Sequence, residues 1–174
     1  MDISGKRPEI NKLFQVDFVL GVIMGGAKTF EQTRGACAPA TGMKKTHRLA
    51  VMKSDDDKRL VFGWASVAVR VNGEVIEDYQ EDIVEIDELE KAAYEYVAKF
   101  GTAGENHERG GVGRLIESAV FTKEKAAAMG IPDGHMPQGW WVGYKITDDR
   151  VWEKIKKGEY SMFSIEGTAA REKV

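Results

Sequence analysis

An α+β fold, a mostly antiparallel β-barrel with packed helices, is what this sequence predicts. Three observations carry that expectation. Apolar runs of strand length, separated by turn signals, recur along the chain. Helical patterns fall between them at irregular intervals, and no glycine-rich nucleotide fingerprint follows any strand, which argues against a doubly wound sheet. With 174 residues and 43% apolar side chains, the chain can bury a sizeable core without metals or disulfides.

In chain order, residues 1–45 are rich in Gly, Ala, Thr and Pro ("RGACAPATGMKK", 34–45) and are expected to form an extension or mobile arm before a domain over 46–174. Within the arm, "FVLGVIMGGA" (18–27) follows Lys6, Arg7 and Lys12, and "ACA" (36–38) resembles a cleavage box. Lys28, Glu31 and Arg34 separate the two, and Pro39 follows the box, so a strand or docking arm is preferred to a secretory signal. "HRLAVMKSDDDKRLVFGWASVAVR" (47–70) predicts a hairpin around Ser54–Lys58, and "VNGEV" (71–75) carries an Asn-Gly turn. "DELEKAAYEYVAKFG" (87–101) predicts a helix. Leu89, Ala92, Ala93, Tyr96, Val97 and Phe100 form its apolar stripe, Asp87 its N-cap and Gly101 its C-cap. A strand over 113–122, a short helix over 123–130, a strand over 139–147, a helix over 148–158 and a last strand over 160–167 follow.

Charge and cysteine usage narrow the function classes. A net charge of −3 argues against broad nucleic-acid binding. The apolar run at 18–27 is too short to span a bilayer. Cys37 is the one cysteine, so no internal disulfide forms and a reducing compartment is expected. Cys37, His47, His107 and His135 lack zinc-ligand spacing, and neither metal nor cofactor is expected.

The chemistry-bearing candidates are few. "GENHERGGVGR" (104–114) places His107 in a glycine-rich charged loop, where an imidazole titrating near neutral pH suits a general base. "YSMFSIEG" (160–167) places Ser164 inside a strand. A serine hydroxyl becomes a strong nucleophile only when such a base takes its proton. The bland alternatives are a surface histidine and a strand serine bonded to backbone. Two carboxylates compete to orient the histidine: Asp82 in "DYQEDIVE" and Glu117 in the strand that leaves the His107 loop. Asp82 is otherwise a turn or cap residue, and Glu117 a solvent-facing strand residue alternating with Ile116. His47 and His135 are weaker candidates, and no G-x-S-x-G elbow is present.

Taken in order, "DYQEDIVEIDELEKAAYEYV", "GENHE", "GRLIESAVF" and "GWWVGYKITDDRVWEKIKKGEYSMFSIEG" resemble the XkdF-like group of phage prohead maturation proteases, themselves similar to the herpesvirus assemblin proteases. The resemblance covers roughly 46–170 and lies in the order of the pieces rather than in any one of them. It implies a herpesvirus-protease-like barrel, Ser164 as nucleophile and His107 as base, with Asp82 matching the acidic residue of a "Q-x-D" element. Glu166 stands where the group usually carries a small residue. The implied activity is a serine endopeptidase that cleaves phage scaffold and major capsid proteins, and itself, inside the immature prohead in the host cytoplasm. Residues 1–45 would be one place for self-cleavage, and backbone N–H groups of "RGGVGR" (109–114) would hold the oxyanion, with Arg114 helping through charge or water. Neither nucleic acid nor membrane is an expected partner, and homo-oligomers are left open. A non-catalytic capsid-assembly or scaffold module with the same fold is the alternative, and a hydrolase of small esters a further rival.

Overall fold

The computed structural model describes residues 11–26, 51–55, 58–77, 82–106 and 108–173; of 11–26, 51–55 and 173 only the backbone is described. Eight strands and three helices follow in the order β1 (Asn11–Gly26), β2 (Val51–Asp55), β3 (Leu60–Val69), β4 (Asp82–Val84), α1 (Ile86–Lys99), β5 (Thr102–Glu105), β6 (Arg109–Phe121), α2 (Lys123–Ala128), β7 (Gln138–Ile146), α3 (Asp149–Lys156) and β8 (Tyr160–Lys173). The strands form one sheet in the order β2-β3-β7-β6-β5-β1-β4, with β8 paired to β1. All pairs are antiparallel except β1 with β4 and β1 with β5. The sheet curls on itself: Tyr144 of β7 and Phe163 of β8 lie several strands apart in it, yet their rings meet at 6.1 Å. This is an α+β fold with a curled half-barrel.

The concave face holds the core. Alternate residues of β7 (Trp140, Val142, Tyr144, Ile146) are buried there with Val61 and Ala65 of β3, Val112 and Val120 of β6, and Ala103 of β5. Helix α1 contributes Leu89, Ala92, Ala93 and Tyr96, and α3 contributes Val151, Trp152 and Ile155. Asp148 caps α3 by accepting from the backbone N–H groups of Arg150 and Val151 at 2.9 and 3.0 Å. At the other end of α1, Gly101 takes a left-handed φ of 58° and donates its N–H to the Tyr96 carbonyl, the chain reversal that glycine permits.

The structure corrects several expectations. Residues 11–26, placed with the arm at 1–45, form the longest strand of the sheet, which pairs with β4, β5 and β8; over 18–26 this is the strand alternative of the sequence reading, and over 11–17 a correction. The remainder of that arm, 1–10 and 27–45, lies outside the described residues, and so does the start of the predicted hairpin. The N-cap of α1 is Glu85, whose side chain makes no capping hydrogen bond, and Asp87 sits in the first turn. Val97 and Phe100 are each 44% exposed, because the stripe drifts off the sheet in the last turn. The loop expected over 104–112 is largely strand, with β5 and the start of β6 forming a tight hairpin. The last strand runs to Lys173, well past Gly167.

Candidate active site

Ser164 stands in β8 between Phe163 and Ile165. Phe163 is buried and Ile165 packs against the core. Strand alternation therefore turns Ser164 to the convex face, where it is half-buried. Among the described residues its hydroxyl has no hydrogen-bond partner. That separates it from Thr122 and Ser118, which cap α2 and accept from the Trp140 indole respectively. Glu166 shares the alternation and is exposed.

Sheet register ties Ser164 to the strand that leads into the predicted histidine loop. Ile23 of β1 pairs with Ser164 on one side and with Gly104 of β5 on the other. Ser164 and Gly104 thus lie in one cross-strand row, two strand spacings or roughly 10 Å apart. Ala103 points into the core, so Gly104 belongs to the same convex face as Ser164. His107 itself lies outside the described residues, as does His47. The residues on both sides of His107 are described. The N–H of Glu108 donates to the Glu105 carbonyl at 3.0 Å, and Asn106 has a φ of 50°, a left-handed conformation that asparagine tolerates well.

A polar cluster holds these flanking residues. Glu105 Oε1 accepts from the Tyr160 hydroxyl at 2.6 Å and from Lys154 Nζ at 2.8 Å, while Oε2 accepts from the Arg109 guanidinium at 2.8 Å. Asn106 Nδ2 and Lys154 Nζ both donate to the Tyr160 oxygen, at 3.1 and 2.9 Å. Arg109 donates onward to Asp148 at 2.8 Å. The sequence reading gave no role to Glu105, Asn106, Asp148, Lys154 or Tyr160, and took Arg109 only as part of the "RGGVGR" segment. The residues of the cluster are spread over β5, β6, α3 and β8, and only the curl of the sheet joins them.

The electrostatics follow from these bonds. Burial alone would push the Glu105 carboxyl up, but donation from Lys154, Tyr160 and Arg109 outweighs it and holds the group down at about 2. The Arg109 guanidinium and the α3 backbone bring Asp148 down to about 2 as well. A depressed folded value stabilises the fold above the unfolded value and ceases to do so as pH falls through the folded one. The contribution of the cluster should therefore be lost between about pH 4.5 and pH 2. Acid unfolding followed by circular dichroism should show a shallower loss of stability over that interval in Glu105→Gln than in the parent.

The two carboxylates proposed to orient the histidine are not brought to Ser164. Asp82 is 1% exposed and accepts from the Arg171 guanidinium at 2.9 and 2.7 Å. Its strand pairs with β1 at Asn11, at the end of β1 opposite Ile23. Glu117 is exposed in β6 and accepts from the Trp141 indole at 2.8 Å, the solvent-face reading. "RGGVGR" is not a free loop: it opens β6, between β5 and β7. Arg114 pairs opposite Thr102, and β5 and β1 separate its strand from β8. His135 is exposed, with Nδ1 3.1 Å from the Asp133 carbonyl oxygen. Among the described residues no cluster of metal-ligating side chains occurs, and no helix is long and apolar enough to cross a membrane.

Comparison with known proteins gives this arrangement a context. The chain is 30% identical over 157 residues to the "Phage-like element PBSX protein XkdF" of Bacillus subtilis (strain 168), an alignment covering 89% of this chain and 53% of that protein. It is 31% identical over 118 residues to the "Uncharacterized protein YqbD" of the same organism, covering 67% of this chain and 34% of that protein. The chain thus spans about half the length, or less, of these curated relatives. No solved structure matches it. The family model described as "Putative phage serine protease XkdF" matches residues 48–173, which takes in β2 through β8, and the chain belongs to that family.

Proposed function

We propose that this chain is a serine endopeptidase domain with Ser164 as nucleophile and His107 as its general base, and that its herpesvirus-protease-like sheet serves phage head maturation. The observation that carries the reading is the position of Ser164. A half-buried hydroxyl on the convex face, with no hydrogen-bond partner among the described residues, shares a row with Gly104, three residues before His107 in the chain. A rigid strand fixes the nucleophile, and this reading requires the base to reach it from the segment between β5 and β6.

The chemistry is acyl transfer. Ser164 Oγ attacks the scissile carbonyl carbon as His107 takes its proton. The tetrahedral intermediate then expels the amine, which receives that proton from the imidazolium. Water, deprotonated by the same imidazole, attacks the acyl carbon; the bond from that carbon to Ser164 Oγ breaks, the imidazolium returns its proton to Oγ, and the carboxylic acid leaves. Because Asp82 and Glu117 are engaged elsewhere, the reading reduces to a Ser–His pair. The substrates proposed are phage scaffold and major capsid proteins, and the chain's own N-terminal segment, inside the immature prohead in the host cytoplasm.

Incubation of the purified protein with a fluorophosphonate, followed by peptide mapping, tests this. Covalent label at Ser164 is the expected result. A folded protein that takes no label would point instead to a non-catalytic capsid-assembly module, and label on another serine would overturn the assignment of Ser164.

A further inference from the structure

We propose that Tyr160, with Glu105 and Lys154, is a positioning residue that fixes the His107 turn relative to the strand carrying Ser164; the inference rests on the Ser164–His107 reading. Tyr160 is the first residue of β8, four positions before Ser164. Its hydroxyl donates to Glu105 and accepts from Asn106 and Lys154, at 2.6, 3.1 and 2.9 Å. Glu105 and Asn106 are the two residues immediately before His107. One phenol oxygen therefore joins the approach to the base with the approach to the nucleophile.

Three features favour positioning over a general structural tie. The Tyr160–Glu105, Asn106–Tyr160 and Lys154–Glu105 contacts each link segments about fifty residues apart, so each fixes one element against another rather than stiffening a single element. The oxygen is sheltered: Tyr160 is 6% exposed and the Glu105 side chain 14%, so water competes poorly for these bonds. Lys154 Nζ bridges the two partners, donating to the Tyr160 hydroxyl at 2.9 Å and to Glu105 at 2.8 Å, so one ammonium ties both to α3. With the backbone at Asn106 already left-handed, the side chains of Glu105 and Asn106 set where the turn points.

The hydroxyl can be removed without stranding a charge. In Tyr160→Phe, Glu105 keeps Lys154 and Arg109, so the domain should fold while the link between turn and strand is cut. Misplacement of a reacting group by about 1 Å costs on the order of 100-fold. Ser118→Ala is the control. It removes a hydroxyl that accepts from the Trp140 indole at 2.9 Å, in a part of the sheet remote from Tyr160.

The test compares second-order rates of fluorophosphonate labelling at Ser164, with thermal unfolding of each variant alongside. Tyr160→Phe should be labelled at least about tenfold more slowly than the parent. Ser118→Ala should match the parent rate even if its Tm falls as far. Hydrogen exchange should rise in Tyr160→Phe across both 102–110 and 160–166. Equal labelling of Tyr160→Phe and parent would overturn the inference, and so would an equal slowing of both variants. If Tyr160→Phe does not fold, Lys154→Met, which removes two bonds of the same cluster from the α3 side, takes its place with the same expectations. A parent that takes no label at Ser164 fails the underlying reading and this inference with it, whereas a labelled parent with an indifferent Tyr160→Phe fails the inference alone.

Discussion

Ser164→Ala is expected to abolish proteolysis and fluorophosphonate labelling while the fold persists. The side chain lies on the convex face, and its hydroxyl has no partner among the described residues, so its loss opens no core cavity and orphans no described donor. Thermal unfolding should stay within about 0.5 kcal/mol of the parent, the range of surface substitutions away from special features. Activity should fall by roughly a million-fold, because without the oxygen no acyl-enzyme forms and only transition-state contacts to the substrate remain. The two readouts must be taken together. Activity lost with Tm unchanged is the signature of a nucleophile, whereas activity lost in step with Tm would mean that Ser164 is a structural residue of β8. A variant that keeps activity within tenfold of the parent would remove Ser164 from the mechanism.

The parts of this architecture legible in the sequence are those written in local pattern. The hairpin of β2 and β3 is centred on a polar turn, α1 carries a stripe at helical spacing, and α3 announces itself through the Val151, Trp152 and Ile155 face. What escaped depends on contacts that local pattern does not encode. Strand β1 is legible only in part, with 18–27 reading as a strand or docking arm and 11–17 as irregular chain, and its place in the sheet comes from long pairing with β8. Strand β5 has four residues, too few for a period to show. The site divides in the same way. Ser164 stood out as a polar residue between apolar neighbours in a strand. Asp82 looked like an orienting acid because sequence order cannot reveal that Arg171, near the far end of the chain, takes up its carboxylate. The Tyr160 cluster was invisible for the complementary reason: Glu105, Lys154 and Tyr160 look like ordinary surface residues until the sheet curls. Position on the concave or convex face, more than residue type, decides which polar groups meet.

His107→Ala should remove activity about as completely as Ser164→Ala, and the double variant should be no worse than either single one. Base and nucleophile act as one unit: without the imidazole the hydroxyl keeps its proton, and without the hydroxyl the imidazole has no proton to take. Their losses therefore overlap instead of adding. Labelling by fluorophosphonate separates the two roles further. Ser164→Ala should take no label, because the reacting oxygen is gone. His107→Ala should still label at Ser164, slower by roughly 10²- to 10⁴-fold, the usual contribution of a positioned base. The pH dependence gives a third handle. In the parent the labelling rate should fall on the acid side as the imidazole gains a proton. In His107→Ala that limb should vanish, leaving a slow rate governed by hydroxide. Retention of the limb would mean that another group serves as base. A double variant far worse than both singles would mean that the two residues contribute independently, and a pair that hands one proton back and forth cannot behave that way.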